Sequence, residues 1–197
     1  TVMYNKFVIL SLLILCIISC RPRKDFIITD EYVDRESGVD TSSDKKSAGP
    51  KLSDKDRKYF AGKLDVAEDE IANARLYNFI KNWEGAKYVP GGSSRKGIDN
   101  PRLAEILYKN VYNKKIAGTA AEIAMDKKLF LFKSTDKLRE GDLVFFRMDN
   151  DELITHVGIY LKNNKFFATS QYGGTKILSI RKGIWNKGFV TAGRFQD

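Results

Sequence analysis

The sequence predicts an α+β domain in which N-terminal helices pack on an antiparallel sheet. Three observations point there. Apolar residues recur at helical spacing between residues 65 and 112, and beyond residue 140 they gather into short runs of strand length. The pairs Gly91-Gly92, Asn163-Asn164 and Gly173-Gly174 fall between these segments, where turns are needed. Helices first and a strand meander after is the α+β order. A hydrophobic content of 43% is enough to build one core.

The first residues stand apart from the domain. Lys6 supplies a short positive region, Phe7 to Ile18 is apolar, and Ser19-Cys20 closes the run. The run is shorter than the roughly 20 residues a spanning helix needs, so it reads as a signal peptide starting at Met3. Ser19-Cys20 resembles a relaxed lipobox, which implies cleavage before Cys20 and a lipid on its sulfur. An uncleaved anchor with an incidental cysteine is the alternative. From Arg21 to about Arg57 the chain is polar and aperiodic, as a flexible tether would be. The expected boundaries are 1–19 for the signal peptide, 20–64 for the lipidated cysteine and tether, and 65–197 for the domain.

Within the domain, Ala67, Ile71, Ala74, Phe79 and Trp83 give the first helix, with Asp65 as its N-cap and Gly85 at its end. Leu103, Ile106, Leu107 and Val111 give a second helix over about 101–112, and Ala120 to Met125 a short third one. Strands are expected at Leu143-Val144-Phe145-Phe146, Leu153 to Leu161, Lys165 to Ser170, Lys176 to Ile180, and Phe189 to Phe195.

Composition excludes several chemistries. Both cysteines, Cys16 and Cys20, lie in the leader, so the domain has no thiol for a nucleophile, a disulfide or a zinc site. With one histidine, a multi-histidine metal site is out of reach, and no cofactor is implied. The formal charge of +9 suits an anionic partner, but export and the interleaving of acids with bases argue against nucleic acid. A solvated basic surface is the default reading.

The motif-bearing stretch runs Tyr88-Val89-Pro90-Gly91-Gly92-Ser93-Ser94-Arg95-Lys96-Gly97-Ile98-Asp99-Asn100-Pro101-Arg102-Leu103. Leu138-Arg139-Glu140-Gly141-Asp142-Leu143-Val144-Phe145-Phe146 and Thr155-His156-Val157-Gly158-Ile159-Tyr160 follow it. Together they resemble the NlpC family, papain-like endopeptidases that cut peptidoglycan stem peptides. In that family a Tyr and a Gly-Gly turn precede Gly-Ile/Phe-Asp-Cys-Ser-Gly, which opens a helix. A His-Val-Gly-Ile-Tyr strand supplies the base, and its hairpin partner the histidine that orients the base.

The resemblance implies a papain-like fold from about Trp83 to Arg194, with departures at the catalytic positions. Asn100 stands where the cysteine belongs, Pro101 and Arg102 replace the serine and glycine, and Ala168 falls at the orienting histidine. Only His156 is kept. A thiolate, a base and an orienting group are all needed for this chemistry, so no catalytic residue is expected. Fold carries over; activity does not follow from it.

The remaining side chains have readings of their own. Asn100 is a good N-cap residue, with Pro101 favoured at the first helical position. Arg102 either extends into solvent or reaches across the former cleft to a carboxylate. His156 is expected as a buried, hydrogen-bonded strand histidine. Using Ser93, Ser94 or Ser170 as its nucleophile would require base and oxyanion donors to converge on that hydroxyl. Tyr88 is either a cleft wall for a ligand or the edge of the core. Candidate ligand-binding residues are therefore Tyr88, Asp99, Arg102 and His156.

The function expected is that of a lipid-anchored envelope protein binding peptidoglycan stem peptides or an envelope protein without catalysis. The alternatives are a weak or unconventional endopeptidase, and a structural lipoprotein with a filled cleft. The membrane leaflet is left open.

Overall fold

Ser53 starts the first helix. Its Oγ accepts the N–H of Asp56 at 3.2 Å and donates to that residue's carboxylate at 2.6 Å. In the computed structural model, which describes residues 50–148 and 153–196, α1 spans Asp54–Leu64 and buries Phe60, Ala61 and Leu64. It stops at Asp65, whose backbone is left-handed with φ 57° and whose N–H bonds Ala61 O. This corrects two expectations. Asp65 ends a helix and does not begin one, and residues 54–64 belong to the packed domain and not to a tether. The exposed face of α1 is so charged that the helix resembles linker sequence. The expected signal peptide, Cys20 and the expected tether up to residue 49 lie outside the described residues.

A 3₁₀ turn at Glu68–Glu70 leads to α2, Ala74–Trp83, capped by Asn73, whose Oδ1 accepts Leu76 N–H at 3.1 Å. The helix expected from Asp65 is thus interrupted. The short strands β1 (Ser93–Ser94) and β2 (Gly97–Ile98) pair before α3, Asn100–Tyr112. The third predicted helix is α4, Ala120–Ala124, where Thr119 and Glu122 cap each other's backbone.

The strands form one antiparallel sheet: β3 (Leu129–Phe132), β4 (Leu143–Phe146), β5 (His156–Tyr160), β6 (Lys165–Ser170), β7 (Gly174–Ser179) and β8 (Phe189–Phe195). Their order is β3-β8-β4-β5-β6-β7. Asn163 and Asn164 turn the β5–β6 hairpin with both φ positive, 48° and 57°, as a type I′ turn requires. A short helix α5, Gly183–Gly188, precedes β8. β3, α5 and the β1–β2 pair go beyond the sequence expectation.

Alternation along the strands builds two cores. Leu143, Phe145, Val157, Ile159 and Phe167 join the residues buried by α1–α4. Val144, Phe146, Tyr160, Phe166, Ala168 and Trp185 form a second cluster with Ile180 and Ala192. Asp142, 3% exposed, ties β4 to β8 by accepting two bonds from the Arg194 guanidinium at 2.7 and 2.6 Å, and a third from Arg139 N at 2.7 Å.

Phenols join the helices to the loop before β4. Tyr77 donates to Glu140 at 2.6 Å, and Tyr108 to Gly141 O at 2.5 Å. Burial pushes the Tyr77, Tyr108 and Tyr112 phenols well above the usual range, with Glu140 adding to the shift at Tyr77 and Tyr112 and the neighbouring Tyr112 phenol at Tyr108.

Candidate functional site

The loop entering α3 is built on close backbone approach. Ile98 N–H donates to Lys87 O at 2.9 Å and Val89 N–H to Ile98 O at 3.1 Å, so Tyr88 bridges Ile98 in parallel. Gly92 lies so near Gly97 that an added Cβ would come within 2.5 Å of Gly97 O. Only glycine fits this turn, which sets Asp99 immediately before the helix.

Asp99, and not Asn100, caps α3. Its backbone is extended, its Oδ1 accepts Arg102 N–H at 2.9 Å, and its Oδ2 accepts Gly91 N–H at 2.9 Å. One carboxylate thus satisfies a first-turn amide and closes the glycine turn. Its negative charge also matches the helix dipole. The expectation that Asn100 is the N-cap is corrected: Asn100 is the first helical residue, with Pro101 after it.

Asn100 does different work. It is 3% exposed, and its Oδ1 accepts the backbone N–H of Thr169 in β6 at 2.9 Å. β5 and β6 pair at Tyr160–Phe166 and Ile159–Phe167. In that register the next inward-facing amide is Thr169 N–H, and the side chain from α3 supplies its acceptor. The carboxamide stands in for a strand carbonyl.

The other site residues are placed as follows. Arg102 does not reach across the sheet; it pairs with Glu105 one turn along its own helix at 2.5 Å. His156, at the start of β5, is half-buried where full burial was expected, and stands edge-on to Trp185 with centroids 5.7 Å apart. Ala168 is 2% exposed in the same apolar cluster as Trp185. Tyr88 and Asp99 are half-buried. Ser170 is buried, and its Oγ accepts Tyr172 N–H at 3.2 Å within the turn after β6.

The structure therefore joins Asp99, Asn100 and Arg102 at one helix start, with Asn100 bonded to the residue after Ala168. Thr169 and Glu105 are the partners the sequence reading lacks. The Thr169 bond could not be found from spacing, since it spans 69 residues and uses a backbone atom, whereas Arg102 and Glu105 stand at the i,i+3 spacing of a helical pair. Among the described residues no three His, Cys, Asp or Glu side chains are placed to hold a metal ion.

Known proteins share this framework. The chain is 31% identical over 127 residues to a probable endopeptidase of Haemophilus influenzae, covering 64% of this chain and 77% of that one. It is 31% identical over 140 residues to the murein DD-endopeptidase MepS/murein LD-carboxypeptidase of Escherichia coli, covering 66% and 71%. The crystal structure of an NlpC/P60 family protein from Bacillus cereus superposes with a TM-score of 0.55 at 21% identity, over 63% of this chain and 40% of that chain. Residues 85–194 match the NlpC/P60 family model, and this span runs from the turn after α2 to β8, taking in both the α3 start and the His156 strand. By sequence and by fold, the chain belongs to the NlpC/P60 family.

Proposed function

We propose that this protein is an exported, lipid-anchored envelope protein whose NlpC/P60 domain binds peptidoglycan without cleaving it. The observation that carries the reading is the state of position 100. The side chain there is a carboxamide, buried and bonded to the sheet backbone, at the point where the family resemblance places the thiolate. An amide is no nucleophile at neutral pH, and without one no acyl-enzyme forms. Ala168 has no ring nitrogen with which to orient His156. The substrate class is carried over from the murein named in the relative from Escherichia coli. Tyr88, Asp99, Arg102 and His156 are the side chains offered to a stem peptide, and Cys20 is the site offered for the lipid.

The test is cosedimentation of the purified protein with peptidoglycan sacculi, followed by chromatography of the supernatant. The expected result is retention on sacculi with no released muropeptides, and His156→Ala should release none either. Release that disappears with His156→Ala would establish an endopeptidase, and a protein left wholly in the supernatant would remove peptidoglycan as the ligand. The anchor is tested separately: Cys20→Ala should leave an unprocessed precursor without acyl label.

A further inference from the structure

Strand β7 is an edge of the sheet, and a groove of about 510 Å³ lies along it. One end of that edge is occupied: Thr175 N–H donates to Ala86 O at 2.8 Å, and Thr175 O accepts from Gly85 N–H at 2.7 Å. Backbone groups of alternate residues point to the same side of a strand. The β6–β7 register runs without a bulge from Ser170–Gly174 to Lys165–Ser179. Ile177 therefore turns its N–H and C=O away from β6, into the groove. The next residue in the series, Ser179, already accepts Lys182 N–H on its carbonyl at 3.3 Å, leaving its own N–H directed outward. The accessible edge is short, and its polarity is that of a β-strand awaiting a partner.

The lining shows which partner. Lys63, Lys165, Lys176 and Lys182 surround the groove, and among the described residues no carboxylate lines it. Lys176 Nζ also donates to Tyr172 O at 2.6 Å, and Lys63 lies 5.4 Å over the Tyr59 ring. The floor is apolar, with Ile177, Leu178 and Trp185, and with Ile184, which is 55% exposed. Lysines along an edge repel a second copy of the same strand, which is how sheets avoid self-pairing. The same charges attract a strand of opposite sign.

We infer that β7 is a docking edge for an extended segment of another protein that alternates acidic and apolar residues and adds to the sheet as a further strand. Backbone bonds to Ile177 would supply the pairing, and the lysine rim and apolar floor the selection. The inference is independent of the α3 site and of whether that site binds peptidoglycan.

The test uses the purified full-length protein and a fluorescently labelled, end-blocked heptapeptide, Glu-Val-Glu-Val-Glu-Val-Glu, read by anisotropy. Two further versions carry N-methyl groups on one alternate set of amides or on the other. The expected result is saturable binding by the parent peptide and by one N-methylated version, with at least tenfold weaker binding by the other, whose blocked edge faces β7. Lys165→Glu with Lys182→Glu, both at the rim and outside the α3 site, should weaken the parent peptide at least tenfold and admit the Lys-Val counterpart. Any other pattern overturns the inference. Equal binding by both methylated versions leaves simple charge attraction, and no binding by the parent leaves the lysines as guards against self-pairing.

Discussion

Asn100 Oδ1 lies 2.9 Å from the backbone nitrogen of Thr169 and accepts its hydrogen bond in the protein interior. Deleting that acceptor leaves a buried N–H without a partner, a loss of about 1–3 kcal/mol. Asn100→Ala should therefore lower stability by that amount in urea melts. Asp99→Ala should cost about 0.5–2 kcal/mol through the lost cap. The diagnostic readout is amide exchange. Asn100→Ala should speed exchange at Thr169, whereas Asp99→Ala should speed it at Arg102 and Gly91. The reverse assignment would return the cap to Asn100.

Restoring the family residues one at a time should not restore cleavage. Asn100→Cys places a thiol beside Pro101 and Arg102 with no orienting imidazole across the hairpin. The variant expected to release muropeptides combines Asn100→Cys, Pro101→Ser, Arg102→Gly and Ala168→His. Position 168 is 2% exposed in an apolar cluster, so the added ring should cost about 1–3 kcal/mol by overpacking. Activity from the single Asn100→Cys variant would show that the site is closer to competence than its residues imply.

Alkaline pH should unfold the domain in a way its tyrosines report. Burial pushes Tyr59 up to about 12, with Glu84 at 2.8 Å adding to the shift. Tyr77, Tyr108 and Tyr112 are raised further. A raised folded-state pKa gives stability that is complete below the unfolded value of about 10 and is lost as pH climbs through the folded value. The phenolate absorbance of Tyr77, Tyr108 and Tyr112 should therefore appear together with loss of circular dichroism, above the range of free tyrosine. Ionisation of all tyrosines before any loss of structure would contradict this.

The extent of the domain can be checked by shortening it. A chain beginning at residue 66 loses α1, and with it the burial of Phe60 and Leu64, both 0% exposed. Each such side chain contributes about 1.5–3 kcal/mol, against about 5–15 kcal/mol for a whole domain. The expected outcome is a midpoint shift of several kcal/mol or loss of folding, whereas a chain beginning at residue 50 keeps the full transition.

What was legible in the sequence follows from how local each signal is. The strands around Phe145, Ile159 and Phe167, the Asn163-Asn164 turn and the helix through Leu107 depend on period and turn chemistry within a few residues. β3 escapes notice because Leu129–Phe132 is short and finds its partner in β8, far along the chain. α1 escapes because three buried residues sit among lysines and aspartates. At the site, Asp99 and Asn100 are both good caps, and the choice between them rests on Gly91 and Thr169, neither of which the spacing of a helix can identify.

The hairpin tip has a mechanical consequence. Asn163 Nδ2 donates to Leu64 O at 3.1 Å and to Asp65 O at 3.2 Å, so the β5–β6 turn clasps the end of α1. The start of α1 is fastened separately, by Asp56 to Lys81 at 2.8 Å and by Lys51 O to Asn78 at 3.1 Å. Tension arriving from the N-terminal side of residue 50 meets the α2 fastenings first. Further along the helix, Arg57 holds Ile71 O at 2.6 Å, Tyr59 holds Glu84 at 2.8 Å and Phe60 is buried, so the load passes to the hairpin that carries His156 and Ala168 only after these part as well. The first helix acts as a strain relief, keeping a pull on the chain from reaching the hairpin while those anchors hold.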